Sequence, residues 1–202
     1  MKTITLFLAM TLSLLSAFAQ KENLYKWSFT VEGGINSLDG DGDSSTQSAF
    51  GASVEYDYIP VVGLSVDYYH FPESGPAFTT QINSADINLT FNINRLLFSR
   101  KDNEVIVKGY LGYGLAGYTY KYFNTPSPVS NSNYSLANSF PVLGVSVEFY
   151  INKLLSAGLK SQFRPFNVNT LEGDPRFNLD NITNDNIVAG TIFLRFKLYP
   201  AN

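Results

Sequence analysis

Apolar and polar positions alternate over long stretches of this chain, most clearly from Val105 to Tyr122. Odd positions of this segment carry mostly large apolar side chains, and even positions carry small or polar ones such as Lys108, Gly112 and Gly114. Such alternation is typical of a β-strand whose two faces meet different surroundings. The segment is longer than the ~9–11 residues that a tilted strand needs to cross a bilayer. We therefore expect a membrane-spanning strand.

Seven further segments alternate in the same way, and clusters of Gly, Pro, Asn, Asp and Ser separate them. The eight predicted strands are Tyr25 to Gly34, Ser48 to Tyr58, Leu64 to Phe71, Ala85 to Ile93, Val105 to Tyr122, Leu143 to Ile151, Leu155 to Arg164 and Asn186 to Leu198. Helix signals are nearly absent. The pattern predicts an all-β fold, an eight-stranded antiparallel up-and-down transmembrane β-barrel.

The predicted connections alternate in length. The longer, polar ones are Asn36 to Gln47, Pro72 to Asn83, Phe123 to Asn138 and Pro165 to Asp185. The shorter ones are Ile59 to Gly63, Asn94 to Asn103 and Asn152 to Leu154. Long outer loops and short periplasmic turns, with both termini in the periplasm, are typical of outer-membrane barrels. The connection from Asn94 to Asn103 is long for a turn, and we expect it to be partly structured.

This orientation predicts an aromatic girdle at the membrane boundary near the short turns. Its members are Tyr25, Trp27, Tyr56, Tyr58, Phe91, Phe149 and Phe196. The opposite girdle is thinner, with Tyr68 and Phe163 as its candidates.

The first residues have the form of a secretory signal peptide. Lys2 precedes an apolar run from Ile4 to Leu15, and Ala17 and Ala19 have the small side chains expected before a cleavage site. The alternative of a membrane anchor is disfavoured because the run is shorter than the ~20 residues of a spanning helix. We predict a signal peptide over residues 1–19 and one barrel domain over residues 20–202.

Composition excludes several function classes. The chain has no cysteine, so neither disulfides nor thiol chemistry is available. Its net charge of −3, without a basic block, argues against a nucleic-acid partner. Charged residues are sparse whereas Tyr and Phe are abundant, as expected of a barrel that faces lipid. We expect no cofactor and no metal ion.

Three segments carry a family resemblance: AFAQ at the end of the leader, INRLLFSRKDNEVIVKGYLGYGLAGYTYKY, and the last strand GTIFLRFKL. With these segments the chain resembles the OmpA/OmpX-like small outer-membrane barrels, in particular those of the Bacteroidetes type. The resemblance implies insertion by the barrel-assembly machinery. Gly190, Phe193, Phe196 and Leu198 look like the terminal-strand signal that this machinery reads.

The predicted inward faces collect charged residues of both signs. We expect two layers: Glu55, Asp57, Lys108, Glu148, Arg195 and Lys197 near the short turns, and Glu32, Asp67, Asp86, Lys160 and Arg164 near the long loops. Unpaired charges in a narrow lumen are costly, so we predict paired networks that plug the barrel. A charged constriction of an open pore is the alternative.

Two further patterns suggest other chemistry. Asp39, Asp41 and Asp43 have the spacing of a calcium loop, but Phe50 stands where an EF-hand requires Glu, so a solvated acidic loop is favoured. The single histidine, His70, lies near Asp67 and Ser74, and a lipid A-modifying enzyme is therefore an alternative. Asp67 and His70 should lie on opposite faces of one strand, which argues against catalysis.

We therefore expect a non-enzymatic outer-membrane barrel with a structural, envelope-integrity or surface-interaction role. Its partners would be outer-membrane lipid and, through the outer loops, an extracellular partner. The alternatives are a passive channel or binding barrel for small solutes or apolar ligands, a lipid-modifying enzyme, and a soluble lipocalin-like carrier. The last would need Glu32, Asp86, Lys108 and Arg195 to face water.

Overall fold

The computed structural model describes residues 27–39, 46–74, 78–98, 105–122, 136–165 and 186–198. The strands are β1 (Trp27–Asp39), β2 (Gln47–Ile59), β3 (Val62–Ser74), β4 (Phe78–Asn92), β5 (Val105–Tyr122), β6 (Leu136–Tyr150), β7 (Leu155–Pro165) and β8 (Asn186–Leu198), and a short helix, α1 (Ile93–Phe98), follows β4. Consecutive strands pair antiparallel, and β8 pairs with β1 to close a barrel. The predicted fold class is confirmed. The predicted signal peptide, residues 1–19, lies outside the described residues.

The fifth and eighth predicted strands have the observed bounds, whereas several others are longer than expected. The main correction concerns the connection predicted from Pro72 to Asn83, which is wrong: β3 continues to Ser74, and β4 begins at Phe78. Pro72 lies opposite Gln81 in this extended hairpin. Proline and polar residues favour a loop when a segment is considered by itself, and only the pairing with the neighbouring strand shows that the segment is part of a sheet. Likewise, β6 begins at Leu136, inside a predicted connection.

The strands are staggered around the barrel. Following the cross-strand partners of Trp27 once around all eight strands leads back to Ser37, ten residues further along β1. Such a stagger requires tilted strands, and an eight-stranded barrel of this kind has an interior just wide enough for side chains to fill. Side chains that meet in the lumen therefore come from distant parts of the sequence.

The two faces of the barrel wall are opposite in character to those of a soluble protein. Large apolar side chains are exposed on the outside, as for Leu159 at 58% and Ile192 at 65%, whereas Lys160 next to Leu159 is buried. Glu32, Asp86, Lys108 and Arg195 are also buried inside the barrel. The lipocalin-like alternative is therefore wrong, because it needed these four side chains to face water.

We call the end of the barrel where β2 joins β3, β4 joins β5 and β6 joins β7 the turn end, and the opposite end the loop end. At the turn end, Trp27 and Tyr56 are in ring contact, with centroids 4.7 Å apart. At the loop end, Phe50 and Tyr113 are exposed on the outer face together with Tyr68 and Phe163. The loop-end aromatic girdle is thus fuller than the sequence suggested. Tyr25 lies outside the described residues.

Helix α1 confirms that the connection after β4 is partly structured. The helix packs against the turn-end segments of β4 and β5. Within the described ranges, no helix combines the length and hydropathy that a membrane crossing requires.

Candidate functional site inside the barrel

All eleven charged residues selected from the sequence lie on inward faces of the strands. Their ion pairs fall into two groups. The turn-end cluster consists of Glu55, Asp57, Lys108, Glu148, Arg195 and Lys197, and the central cluster consists of Glu32, Asp67, Asp86, Lys160 and Arg164. Nine of these residues are buried, while Asp57 and Lys197 are partly exposed near the turn-end mouth. Every strand of the barrel contributes at least one of these charged side chains.

Arg195 of β8 connects the acids of the turn-end cluster. Its Nη2 lies 3.0 Å from Glu55 Oε2, and its Nη1 lies 2.9 Å from Glu148 Oε2. Glu55 also accepts from Lys108 Nζ at 2.5 Å, and Lys197 Nζ lies 3.2 Å from Glu148 Oε1. The guanidinium thus bridges β2 and β6 across the lumen, a reach that suits its planar, forked donor geometry.

Neutral side chains complete this cluster. Ser156 Oγ donates to Glu148 Oε1 at 2.6 Å, and Thr90 Oγ1 donates to Glu55 Oε1 at 3.1 Å. The cluster has three acidic and three basic members, so its formal charges balance. Balanced and hydrogen-bonded charges are the form in which a narrow interior tolerates ions.

Lys160 of β7 is the centre of the second cluster. Its Nζ lies 2.8 Å from Asp67 Oδ2, 3.4 Å from Glu32 Oε1 and 2.6 Å from the Tyr69 hydroxyl. The Tyr69 hydroxyl in turn donates to Glu32 Oε1 at 2.7 Å, and Thr191 Oγ1 donates to Glu32 Oε2 at 2.7 Å. This network joins β7 to β1, β3 and β8 across the interior.

Arg164 of β7 is fully buried and forms the second part of the central cluster. Its Nε and Nη2 donate to the same oxygen of Asp86, at 3.1 and 2.9 Å. The guanidinium carbon lies 4.3 Å from the ring centroid of Tyr69 and 4.9 Å from that of Phe71. An arginine held between a carboxylate and two aromatic faces is well suited to a dry interior.

An apolar layer fills the lumen beyond the central cluster, toward the loop end. It consists of Ala49, Tyr69, Phe71, Ile82, Ala116, Phe140, Val142, Ile187 and Ala189, all at most 1% exposed. This layer was not predicted from the sequence, because the predicted lumen residues were all charged. The sequence feature that could have indicated the layer is the parity of Phe71 and Phe140, which puts both side chains on inward faces once β3 and β6 are extended to their observed ends.

Glycines give the buried aromatic rings their space. A Cβ at Gly51 would lie 2.6 Å from the Tyr69 ring, and one at Gly114 would lie about 2.5 Å from the Phe140 ring. The inward-facing Gly51 of β2 and Gly114 of β5 therefore leave room for the aromatic rings of the neighbouring strands.

A cavity of about 60 Å³ lies at the turn-end mouth. Asp57, Lys108, Arg195 and Lys197 are among its lining residues, together with Arg95 of α1. The turn-end cluster therefore meets solvent from one side, whereas the central cluster is enclosed between the turn-end cluster and the apolar layer.

The single histidine is placed away from the charged lumen. His70 Nδ1 lies 2.9 Å from Asn83 Oδ1, and the Tyr68 hydroxyl donates to the same oxygen at 2.9 Å. Asp67 points to the opposite face and is buried. Ser74 was predicted to lie in a loop, but it is the last residue of β3. Residues 40–45, which include Asp41 and Asp43, lie outside the described part of the chain.

Similarity to known proteins is found in three-dimensional structure alone. No protein-family model matches the sequence, and no curated protein matches it. The barrel is similar to Neisserial surface protein A (TM-score 0.57, 12% identity, covering 86% of this chain and 97% of that one). It is also similar to the outer membrane protein OprG from Pseudomonas aeruginosa (0.52, 9%, 86% and 96%) and to a major outer membrane protein from Thermus thermophilus (0.51, 13%, 84% and 98%).

At these identities the likeness shows the fold alone. The shared fold is the small eight-stranded barrel of outer-membrane proteins, which supports the OmpA/OmpX-like resemblance at the level of architecture.

Proposed function

We propose that this protein is a non-enzymatic outer-membrane barrel whose plugged lumen makes it a rigid support for the long connections at its loop end. The observation that carries the proposal is the filling of the interior. From the turn end to the loop end, the described lumen contains two ion-paired clusters and then an apolar layer. A plugged interior disfavours the passage of solutes. The function is therefore expected to depend on the surfaces of the barrel.

The proposed orientation places the turn end in the periplasm and the long connections outside the cell. Outer-membrane barrels have short periplasmic turns and longer extracellular loops. In this orientation the exposed apolar outer face contacts membrane lipid, and β8 carries the terminal signal for the barrel-assembly machinery. The Bacteroidetes-type relationship remains a prediction from the sequence.

Within this frame we propose a role in envelope integrity or surface interaction. The long connections are polar, and the one between β5 and β6, residues 123–135, mixes Tyr and Phe with Ser, Asn and Pro. Surface loops on a rigid support are common sites of binding. An extracellular partner contacted by these loops is therefore part of the proposal.

Conductance measurement tests the plugged lumen against the passive-channel alternative. Purified protein reconstituted into planar bilayers should give no stable ion-sized openings, because ion pairs and apolar side chains fill the path. A sixteen-stranded porin, whose lumen is an aqueous channel, serves as the positive control. Reproducible unitary currents from the folded protein would contradict the proposal and favour the channel.

Tag accessibility tests the orientation. An epitope inserted after Ser130 should be labelled on intact cells, whereas the same epitope inserted after Asn152 should be labelled only after the outer membrane is permeabilised. Both variants should fractionate with the outer membrane and migrate differently before and after boiling. The reversed labelling pattern would show that the barrel is inserted the other way round.

The enzyme alternative is tested by replacing His70. Since His70 contacts Asn83 on the face opposite Asp67, a His70→Ala variant should leave the lipid A profile of the cell unchanged. A changed profile, restored by the wild-type gene, would favour the enzyme.

A further inference from the structure

The Asn94 side chain of helix α1 forms hydrogen bonds to the edge of β5. The β4–β5 ladder ends at the pair Asn92 and Lys108, so β5 extends beyond its partner toward the turn end. Asn94 takes the place of the missing strand: its Oδ1 accepts from the Val107 N–H at 2.6 Å, and its Nδ2 donates to the Val105 carbonyl at 3.4 Å. This pairing fixes where α1 leaves the barrel wall.

The first residue of α1 packs on the outside of the barrel. Gly109 faces outward on β5, and the nearest atoms to a Cβ built there belong to the Ile93 side chain, with Cδ1 at 3.6 Å. Ile93 therefore lies over the outer, lipid-facing surface of β5. Part of α1 therefore packs against the outer surface of the barrel wall.

The remaining side chains divide the helix into two sides. Arg95 lines the cavity at the turn-end mouth. Leu96 and Leu97 are 50% and 66% exposed, and the helical repeat of 3.6 residues per turn puts both on the same side of α1 as Ile93. Two exposed leucines beside an inward-directed arginine form the polar and apolar sides typical of a helix that lies in a membrane interface.

We propose that Leu96 and Leu97 are a phospholipid-binding surface, with α1 lying at the boundary between headgroups and acyl chains at the turn end of the barrel. Continuity with the apolar belt selects lipid as the occupant, because Ile93 already packs on a surface of that belt. Turn-end aromatic residues such as Trp27 and Phe149 mark the same level, since aromatic side chains concentrate at membrane boundaries. The inference rests on the proposed membrane placement of the barrel.

Site-specific fluorescence tests this surface, because a single introduced cysteine is unique in a chain that has none. Leu97→Cys carries a polarity-sensitive label in α1. Lys153→Cys, on an exposed position of the β6–β7 connection, is the matched control at the same end of the barrel. Leu159→Cys, on the exposed outer face, reports the apolar belt itself.

Each labelled variant is first shown to be folded by heat-modifiable migration and is then reconstituted into vesicles of phosphatidylethanolamine and phosphatidylglycerol. The vesicles contain lipids that carry a spin-label quencher either near the headgroup or deep in the acyl chain. The Leu97 label should be quenched by the shallow lipid roughly twofold or more above the Lys153 label, as expected for an interfacial helix. The Leu159 label should respond most to the deep lipid.

The outcomes separate the inference from the function on which it rests. If the Leu97 label is quenched only by aqueous iodide, as the Lys153 label should be, the lipid surface is wrong while the barrel placement stands. Protection of Leu97 from both iodide and lipid would indicate a protein partner or a second copy, and would also overturn the proposal. Failure of lipid quenching at Leu159 would instead contradict the membrane placement.

Discussion

Lys160 shows how a single side chain can join distant parts of this barrel. Its ammonium group contacts Glu32 of β1 and both Asp67 and Tyr69 of β3. None of these groups is exposed to water, so each depends on the others for its hydrogen bonds. Removing one partner of a buried ion pair costs more than the pair contributes, because the remaining charge is left without compensation.

Replacing Lys160 with methionine should therefore destabilise the protein strongly. The variant leaves two buried carboxylates without their cation, and we expect the free energy of unfolding to fall by about 3–5 kcal/mol. Urea unfolding in lipid vesicles, followed by tryptophan fluorescence and by heat-modifiable migration, measures the change.

The control is Lys153→Met, the same replacement on an exposed turn. It should change the free energy of unfolding by less than about 0.5 kcal/mol, as is usual for surface positions. Equal stability of the two variants would show that the central cluster does not stabilise the fold.

Among the elements, β5 carries glycines on both of its faces, and the two faces differ in how closely they are packed. Gly114 faces inward against the Phe140 ring and Asp86, whereas Gly117 faces outward with open space where a Cβ would lie. Glycine in a strand interior weakens the strand by about 0.5–1 kcal/mol relative to alanine. Gly114 is thus required by its surroundings, while Gly117 is not.

This difference predicts opposite effects of one substitution within one strand. Gly114→Ala should lower the free energy of unfolding by about 1–3 kcal/mol, because the added methyl group overpacks the apolar layer. Gly117→Ala should be neutral or slightly stabilising. Urea midpoints of both variants decide the matter, and a Gly114→Ala variant as stable as wild type would mean that the Phe140 ring can move aside.

At the scale of the whole molecule, the seam between β1 and β8 closes the barrel. Gly34 of β1 faces this seam, and a Cβ there would overlap the Gly190 carbonyl oxygen and lie 2.6 Å from the Thr191 Cα. Both are backbone atoms, so no side-chain rotation relieves the overlap. At the neighbouring Gly33, a Cβ would be in ordinary contact with the Phe50 ring at 3.8 Å.

Gly34→Ala should therefore impair closure while Gly33→Ala should not. The expected result is a smaller heat-modifiable fraction for Gly34→Ala after refolding into vesicles, and a loss of stability of about 1–3 kcal/mol in the molecules that fold. Comparable folded fractions for the two variants would show that the seam accommodates a methyl group by a shift of β8.

Features that depend on neighbouring residues were predictable from the sequence, whereas features that depend on residues far apart in the chain were not. Alternation with a period of two is a property of neighbouring residues, so the sequence alone determined which side chains share a face and the bounds of β5 and β8. It also predicted that charges of both signs point inward, because the predicted leader, aromatic girdle and loop lengths favoured that face as the inner one. Strand ends were less predictable at Pro72 and Leu136, where the ladder is continued by a partner distant in sequence.

Only the tertiary structure decided which inward residues meet. The ten-residue stagger brings Lys160 to Asp67 and Glu32, and the register between β5 and β6 places Phe140 opposite Gly114. The register between strands depends on the closure of all eight strands into a barrel, and the local alternation of residues does not predict it. The same reason explains why the apolar layer and the outward turn of α1 were not foreseen: each depends on the space that one strand leaves beside another.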